Sequence, residues 1–84
     1  MTDTARLNEL IKESGLKVGY IANRLGLSQY GFSRKRDNLS EFTPSEINAL
    51  CDILHITSLE DRFSIFFNEK VDAKSTRQAP AQPA

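Results

Sequence analysis

The sequence has little of what the common enzyme classes require. It contains one cysteine and one histidine, so it cannot form an intramolecular disulfide and has no ligand spacing suited to zinc. No glycine-rich phosphate-binding loop follows a predicted strand, and no carboxylate cluster suggests a metal site or acid–base chemistry. We therefore predict that the chain is not an enzyme and needs no cofactor.

One catalytic alternative stays open. Cys51 and His55 lie four residues apart, a spacing at which a histidine on the same helix can activate a thiol. Cys51 also belongs to an apolar stripe with Ile47, Leu50 and Leu54, where a small buried residue fits. We favour the core position for Cys51.

Long apolar runs are missing as well. No stretch approaches the roughly 18–20 residues of a membrane-spanning helix, and the N-terminal MTDTARLNEL has no apolar signal-peptide core. These features predict a cytoplasmic protein without a membrane partner. With 84 residues, of which 39% are hydrophobic and 26% charged, the chain has the size and composition of one small globular domain.

Net charge is absent overall but present locally. The sequence contains 11 Lys and Arg residues together, and 11 Asp and Glu residues together. Residues 16–40 nevertheless carry five cations against Asp37 alone, a net charge of +4, and residues 41–72 carry seven acids against two cations, a net charge of −5. A local basic face is sufficient for a polyanionic partner, although a solvated helix face has the same composition.

Apolar spacing and capping signals predict five helices. Four of them cover residues 4–14, 18–25, 29–37 and 44–54, and the fifth begins after Ser58. Gly26 and Asn38 are suited to left-handed helix ends, and Thr43, Pro44 and Glu46 form a capping-box signal. Residues 66–71 fit either a helix or an extended segment. We predict a domain over residues 1–72 and a disordered tail over 73–84, which lacks large apolar residues.

The second and third helices are joined by a short turn, Gly26-Leu27, as in a helix-turn-helix. Only Phe32 is available to bury the third helix, so its opposite face is predicted to be exposed. Such a helix reads base edges in the major groove. The predicted base contacts are Gln29, Tyr30, Ser33 and Arg34, and the predicted phosphate contacts are Lys17, Ser28, Lys35, Arg36 and Asn38.

The stretch from Leu7 to about Phe63 resembles the Cro/CI-type (XRE-like) helix-turn-helix family of phage and bacterial repressors. The pattern is GLKVGYIANRLGLSQYGFSRKRDN followed by TPSEINALCDILHITSLEDRF. Its matching positions are the second-helix alanine, the turn glycine, the capping serine and the third-helix core residue, here Ala22, Gly26, Ser28 and Phe32. The segment IFFNEKVDAKST is similar to the ends of small Cro-like regulators from Gram-positive phages and prophages.

The resemblance implies an all-α, lambda-repressor-like five-helix bundle that binds palindromic operators as a dimer. Lys17 and Val18 stand where family members commonly carry Ser-Gln. Lys17 retains a charge for phosphate, whereas Val18 offers no hydrogen bond to support Gln29.

The fifth helix has more large apolar residues than a domain of this size readily buries. Leu59, Phe63 and Phe66 share one face at helical spacing, with Phe67 at its edge and Ile65 pointing elsewhere. We predict a dimer surface that includes Phe63, Ile65, Phe66 and Phe67. The alternative is an ordinary core with one exposed apolar side chain.

Together these features predict a sequence-specific DNA-binding transcriptional regulator whose partners are double-stranded DNA and a second copy of the chain. The alternative is a protein-binding module with the same fold, such as an anti-repressor or an antitoxin-like partner. The acidic segment 41–72 and the valine at position 18 favour that alternative.

Overall fold

A computed structural model describes residues 1–68 of the chain, which contain five helices and no strand. The helices are α1 (Thr4–Ser14), α2 (Val18–Arg24), α3 (Gln29–Arg36), α4 (Pro44–Leu54) and α5 (Leu59–Phe66). The all-helical prediction is confirmed, and helices two and three each end one residue earlier than predicted. The predicted tail and residues 69–72 lie outside the described residues. No described helix is long and apolar enough to span a bilayer.

The core is organised around Phe32, which α3 inserts fully beneath the other helices. Its ring lies 5.8 Å from that of Phe42, which in turn lies 5.8 Å from that of Phe66 in an edge-to-face arrangement. Leu7 and Leu50 are also fully buried. The prediction that Phe32 anchors the third helix is confirmed. Gln29 and Tyr30 at the start of α3 are exposed, whereas residues 33–36 are half-buried.

The predicted helix ends are confirmed in their local geometry. Gly26 and Asn38 have φ angles of 76° and 67°, the left-handed conformation in which Gly and Asn are tolerated best. Thr43 accepts a hydrogen bond from the Glu46 N–H at 3.2 Å, and Glu46 Oε1 accepts one from the Thr43 N–H at 2.9 Å, completing the capping box. His55 also adopts a left-handed conformation, with φ of 59°, which the sequence did not indicate.

The first three residues form an N-terminal strap (residues 1–3) between the ends of α3 and α5. The Asp3 N–H donates to the Ile65 carbonyl at 2.6 Å, and the Asn68 N–H donates to the Met1 carbonyl at 2.8 Å. On the other side, Asn38 accepts from the Thr2 N–H at 2.8 Å and donates to the Thr2 carbonyl at 3.0 Å. The strap thus joins two helices that are distant in sequence.

Candidate nucleic-acid interface

The turn between α2 and α3 is closed by a pair of backbone hydrogen bonds. The Leu27 N–H donates to the Ala22 carbonyl at 2.9 Å, and the Gly26 N–H donates to the Asn23 carbonyl at 3.0 Å. This is the Schellman pattern, which requires a left-handed residue where Gly26 stands. Ala22 is only 1% exposed, and α2 packs directly on α3. The turn therefore determines how the outer face of α3 is presented.

The first turn of α3 is organised by Ser28, whose Oγ accepts a hydrogen bond from the Gly31 N–H at 2.9 Å. A methyl group built on Gly31 would lie 3.2 Å from that oxygen, closer than side chains normally approach. Alanine at position 31 would therefore have to displace the capping oxygen by a few tenths of an ångström. The Ser28 hydroxyl is occupied as an acceptor but remains at the exposed surface.

Gln29 lies beside the first turn of α2. A methyl group built on Gly19 would be 3.4 Å from the Gln29 Oε1 atom, so the amide rests against the α2 backbone. Lys17 occupies the exposed N-cap position of α2. Val18 is half-buried and packs against the core. Gly19 was missed by sequence reasoning, and the only signal for it was an otherwise unexplained glycine inside a helix.

Tyr30 and Arg34 form a cation–π pair on the outer face of α3. Tyr30 is 73% exposed, and the Arg34 guanidinium carbon lies 5.9 Å from its ring centroid. Among residues 1–68, no carboxylate lies within ion-pair distance of Arg34. Ser33, the remaining predicted base contact, is half-buried, and Arg36 donates to its Oγ at 3.5 Å.

Lys35, one of the predicted phosphate contacts, forms an ion pair within the protein. Its Nζ lies 2.6 Å from Glu46 Oε1, and only 18% of its side chain is exposed. The reason is helical spacing: Lys35 follows the buried Phe32 by three residues, so both side chains point toward the core side of α3. Lys35 therefore links α3 to the capping box of α4.

The Lys35 contact also affects the titration of Glu46. Burial opposes ionisation of this carboxyl, but the hydrogen bonds from Lys35 and from the Thr43 N–H outweigh it. The pKa of Glu46 is consequently held below its ordinary value. Ionised Glu46 thus stabilises both the start of α4 and the contact with α3.

Arg36 and Asn38 are also engaged inside the protein rather than held free for phosphate. The Arg36 guanidinium lies 5.9 Å from the Phe32 ring centroid, and its Nε is 3.4 Å from an Asp37 carboxylate oxygen. The Asn38 amide is occupied by the backbone of Thr2. Of the predicted phosphate contacts, Lys17 and Ser28 are the two at the exposed edge beside Gln29.

The predicted dimer surface on α5 needs a correction. Ile65 and Phe66 are only 2% and 4% exposed and belong to the core, because the strap and the ring of Phe42 pack on that side of the helix. Phe63 and Phe67 are instead 66% and 47% exposed, and their rings stack at 5.4 Å. The apolar surface is therefore this stacked pair.

The Cys51–His55 pair does not have the geometry of an activated thiol. Cys51 is 1% exposed within the core, as predicted, while His55 is exposed. Burial raises the pKa of the Cys51 thiol, which opposes formation of the thiolate that a nucleophile needs. Within residues 1–68, no group of three or more His, Cys, Asp or Glu residues is placed to hold a metal ion.

Comparison with known proteins gives no match: no family model, no curated protein and no solved structure is significantly similar to this chain.

Proposed function

We propose that the chain is a sequence-specific DNA-binding transcriptional regulator of the lambda-repressor-like, Cro-like type. The observation that carries the proposal is the two-sided character of α3. Phe32 is fully buried, whereas Gln29 and Tyr30 are exposed on the opposite face, beside an Arg34 that has no carboxylate partner among the described residues. The helix ends and the closed turn hold this face in one orientation.

The dimensions and chemistry of the exposed face suit the major groove. An α-helix with its side chains is about 10–12 Å across, close to the width of that groove, about 12 Å. An amide such as Gln29 pairs with adenine, and a guanidinium such as Arg34 pairs with guanine. Lys17 lies on the same edge as Gln29, where it would meet the phosphate backbone.

The exposed aromatic stack supports binding as a homodimer. Phe63 and Phe67 present two adjoining aromatic rings to solvent, and Leu59 on the same helix is 79% exposed. Pairing through this surface would bury apolar area and double the DNA contacts of a protein whose basic run is largely engaged internally. A two-fold dimer reads a palindromic operator, and its occupation would exclude other proteins from that DNA.

The same aromatic stack favours one alternative, a module that binds a different protein. Glu60 and Asp61 begin the helix that carries the stack, so a basic apolar partner would be complementary to it. In this alternative α3 takes no part in binding.

Selection from a random duplex library tests the proposal. Wild-type protein should select a palindromic consensus with half-sites about one helical turn apart, and its affinity should fall steeply between about 50 and 200 mM salt. Arg34→Ala should weaken binding by about 1–3 kcal/mol and relax the preference at one base pair. Weak binding without base preference, unchanged by Arg34→Ala, would favour the protein-binding alternative.

A further inference from the structure

The guanidinium of Arg34 is held on two sides by parts of its own helix and the turn that follows. On one side, the Tyr30 ring lies one helical turn earlier, with its centroid 5.9 Å from the guanidinium carbon. On the other, Arg34 Nη2 donates to the Leu39 carbonyl at 3.4 Å. The backbone repeats this pairing, since the Leu39 N–H donates to the Arg34 carbonyl at 2.8 Å.

The Leu39 carbonyl owes its position to the turn at Asn38. The left-handed φ of 67° at Asn38 reverses the chain so that Leu39 comes back against α3. Two hydrogen bonds between the Asn38 side-chain amide and the backbone of Thr2 stabilise this turn. The acceptor beside Arg34 is thus fixed by the strap.

Arg34 differs from Lys35 and Arg36 because it forms no ion pair among the described residues and so keeps hydrogen-bond donors for a ligand. Lys35 is paired with Glu46, and Arg36 lies against Phe32 and Asp37. An aromatic ring beside a guanidinium limits the positions that the guanidinium can take while leaving N–H groups available for a ligand. A long side chain restricted in this way loses less freedom on binding.

We infer that Tyr30 is a positioning residue for base recognition. Its ring orients the Arg34 guanidinium toward a guanine, and Tyr30 does not itself read a base. The inference rests on the proposed DNA-binding function. It replaces the expectation that Tyr30 is an independent base contact, and it makes the ring, not the hydroxyl, the required group.

The chain supplies a matched control for this role. Tyr20 and Arg24 form a second tyrosine–arginine pair at the same sequence spacing on α2, with the guanidinium carbon 5.8 Å from the ring centroid. There the Arg24 Nη1 donates to the Tyr20 hydroxyl at 2.8 Å. Substituting Tyr20 removes a comparable pair and leaves the Tyr30–Arg34 pair intact.

The experiment measures affinity for the selected operator and for its single-base variants. Tyr30→Ala should reduce discrimination by about two- to fivefold, the size of an exposed cation–π contact, at the same base pair as Arg34→Ala. Tyr30→Phe and Tyr20→Ala should leave that discrimination unchanged. In the Arg34→Ala background, Tyr30→Ala should cause no further loss at that base pair.

Two results of the affinity measurements would overturn the inference while leaving the proposed function intact. Loss of preference at a different base pair would make Tyr30 a direct reader, and a Tyr30→Phe variant as impaired as Tyr30→Ala would assign the role to the hydroxyl. Without DNA, the side-chain protons of Arg34 should show a ring-current shift that Tyr30→Ala abolishes and Tyr30→Phe retains. Its absence from the wild type would also refute the positioning role. A wild-type protein without any base preference would overturn the proposed function itself, and this inference with it.

Discussion

Asn38 stabilises the fold in two ways, through the hydrogen bonds of its side chain and through its tolerance of a left-handed backbone conformation, and two substitutions can separate them. Its amide makes two hydrogen bonds to the backbone of Thr2, at 2.8 and 3.0 Å, and Thr2 is only 5% exposed. Losing both bonds should cost about 2 kcal/mol at roughly 1 kcal/mol each. Its φ of 67° adds a further cost of about 1 kcal/mol when alanine must adopt it. Asn38→Gly should therefore lose about 2 kcal/mol, and Asn38→Ala about 3 kcal/mol.

Thermal and urea unfolding of the two variants measures these contributions. In a domain of this size, 1 kcal/mol corresponds to about 4–8 °C in Tm, so the two variants should be resolved from wild type and from each other. Asn8→Ala, on the exposed side of α1, is the control and should stay within about 0.5 kcal/mol of wild type. An Asn38→Gly variant as stable as wild type would show that the strap contacts contribute nothing. Equal stabilities for Asn38→Gly and Asn38→Ala would refute the conformational argument.

Three further predictions concern the capping box, the α3 cap and α5. The pKa of Glu46 in the folded protein is lowered from its ordinary 4.5. Ionised Glu46 therefore stabilises the fold fully above pH 4.5, and this stabilisation is lost as the pH falls through the lower, folded-state pKa. Glu46→Gln should make the free energy of unfolding, measured in urea, depend less on pH in this acid range. Gly31→Ala alone should leave the free energy of unfolding unchanged, but it should raise it by about 0.5–1 kcal/mol in a Ser28→Ala background, where the capping oxygen is gone. The same effect of Gly31→Ala in both backgrounds would show that the oxygen does not oppose the methyl group. Phe63→Ser should weaken self-association, measured by sedimentation, without unfolding the protein. Phe66→Ala should instead lower the free energy of unfolding by about 3–5 kcal/mol. The reverse pattern would show that Phe63 is a core residue and that Phe66 belongs to the apolar surface.

Local signals were sufficient to predict the five helices and several of their ends. The capping box at Thr43 and the left-handed residues Gly26 and Asn38 each depend on contacts within a few residues, so a short stretch of sequence determines them. The burial of Phe32 followed because α3 has one large apolar residue. These features also define which face of α3 is exposed, so the Gln29 side of the candidate site could be predicted.

Contacts between distant residues account for what could not be predicted. Lys35 meets a carboxylate 11 positions away, and Asn38 meets a backbone 36 positions away. The buried side of α5 depends likewise on the strap, which covers Ile65. No periodicity reports such pairings, because spacing defines the faces of a helix but not which face another segment covers.

The most direct test of the central claim is to titrate isotope-labelled protein with the selected duplex and follow every backbone amide by NMR. The largest shifts should fall on residues 17–19, at the start of α2, and on residues 28–34, along α3. Shifts confined to α5 and the aromatic stack, with α3 unchanged, would contradict the claim and assign binding to the α5 surface.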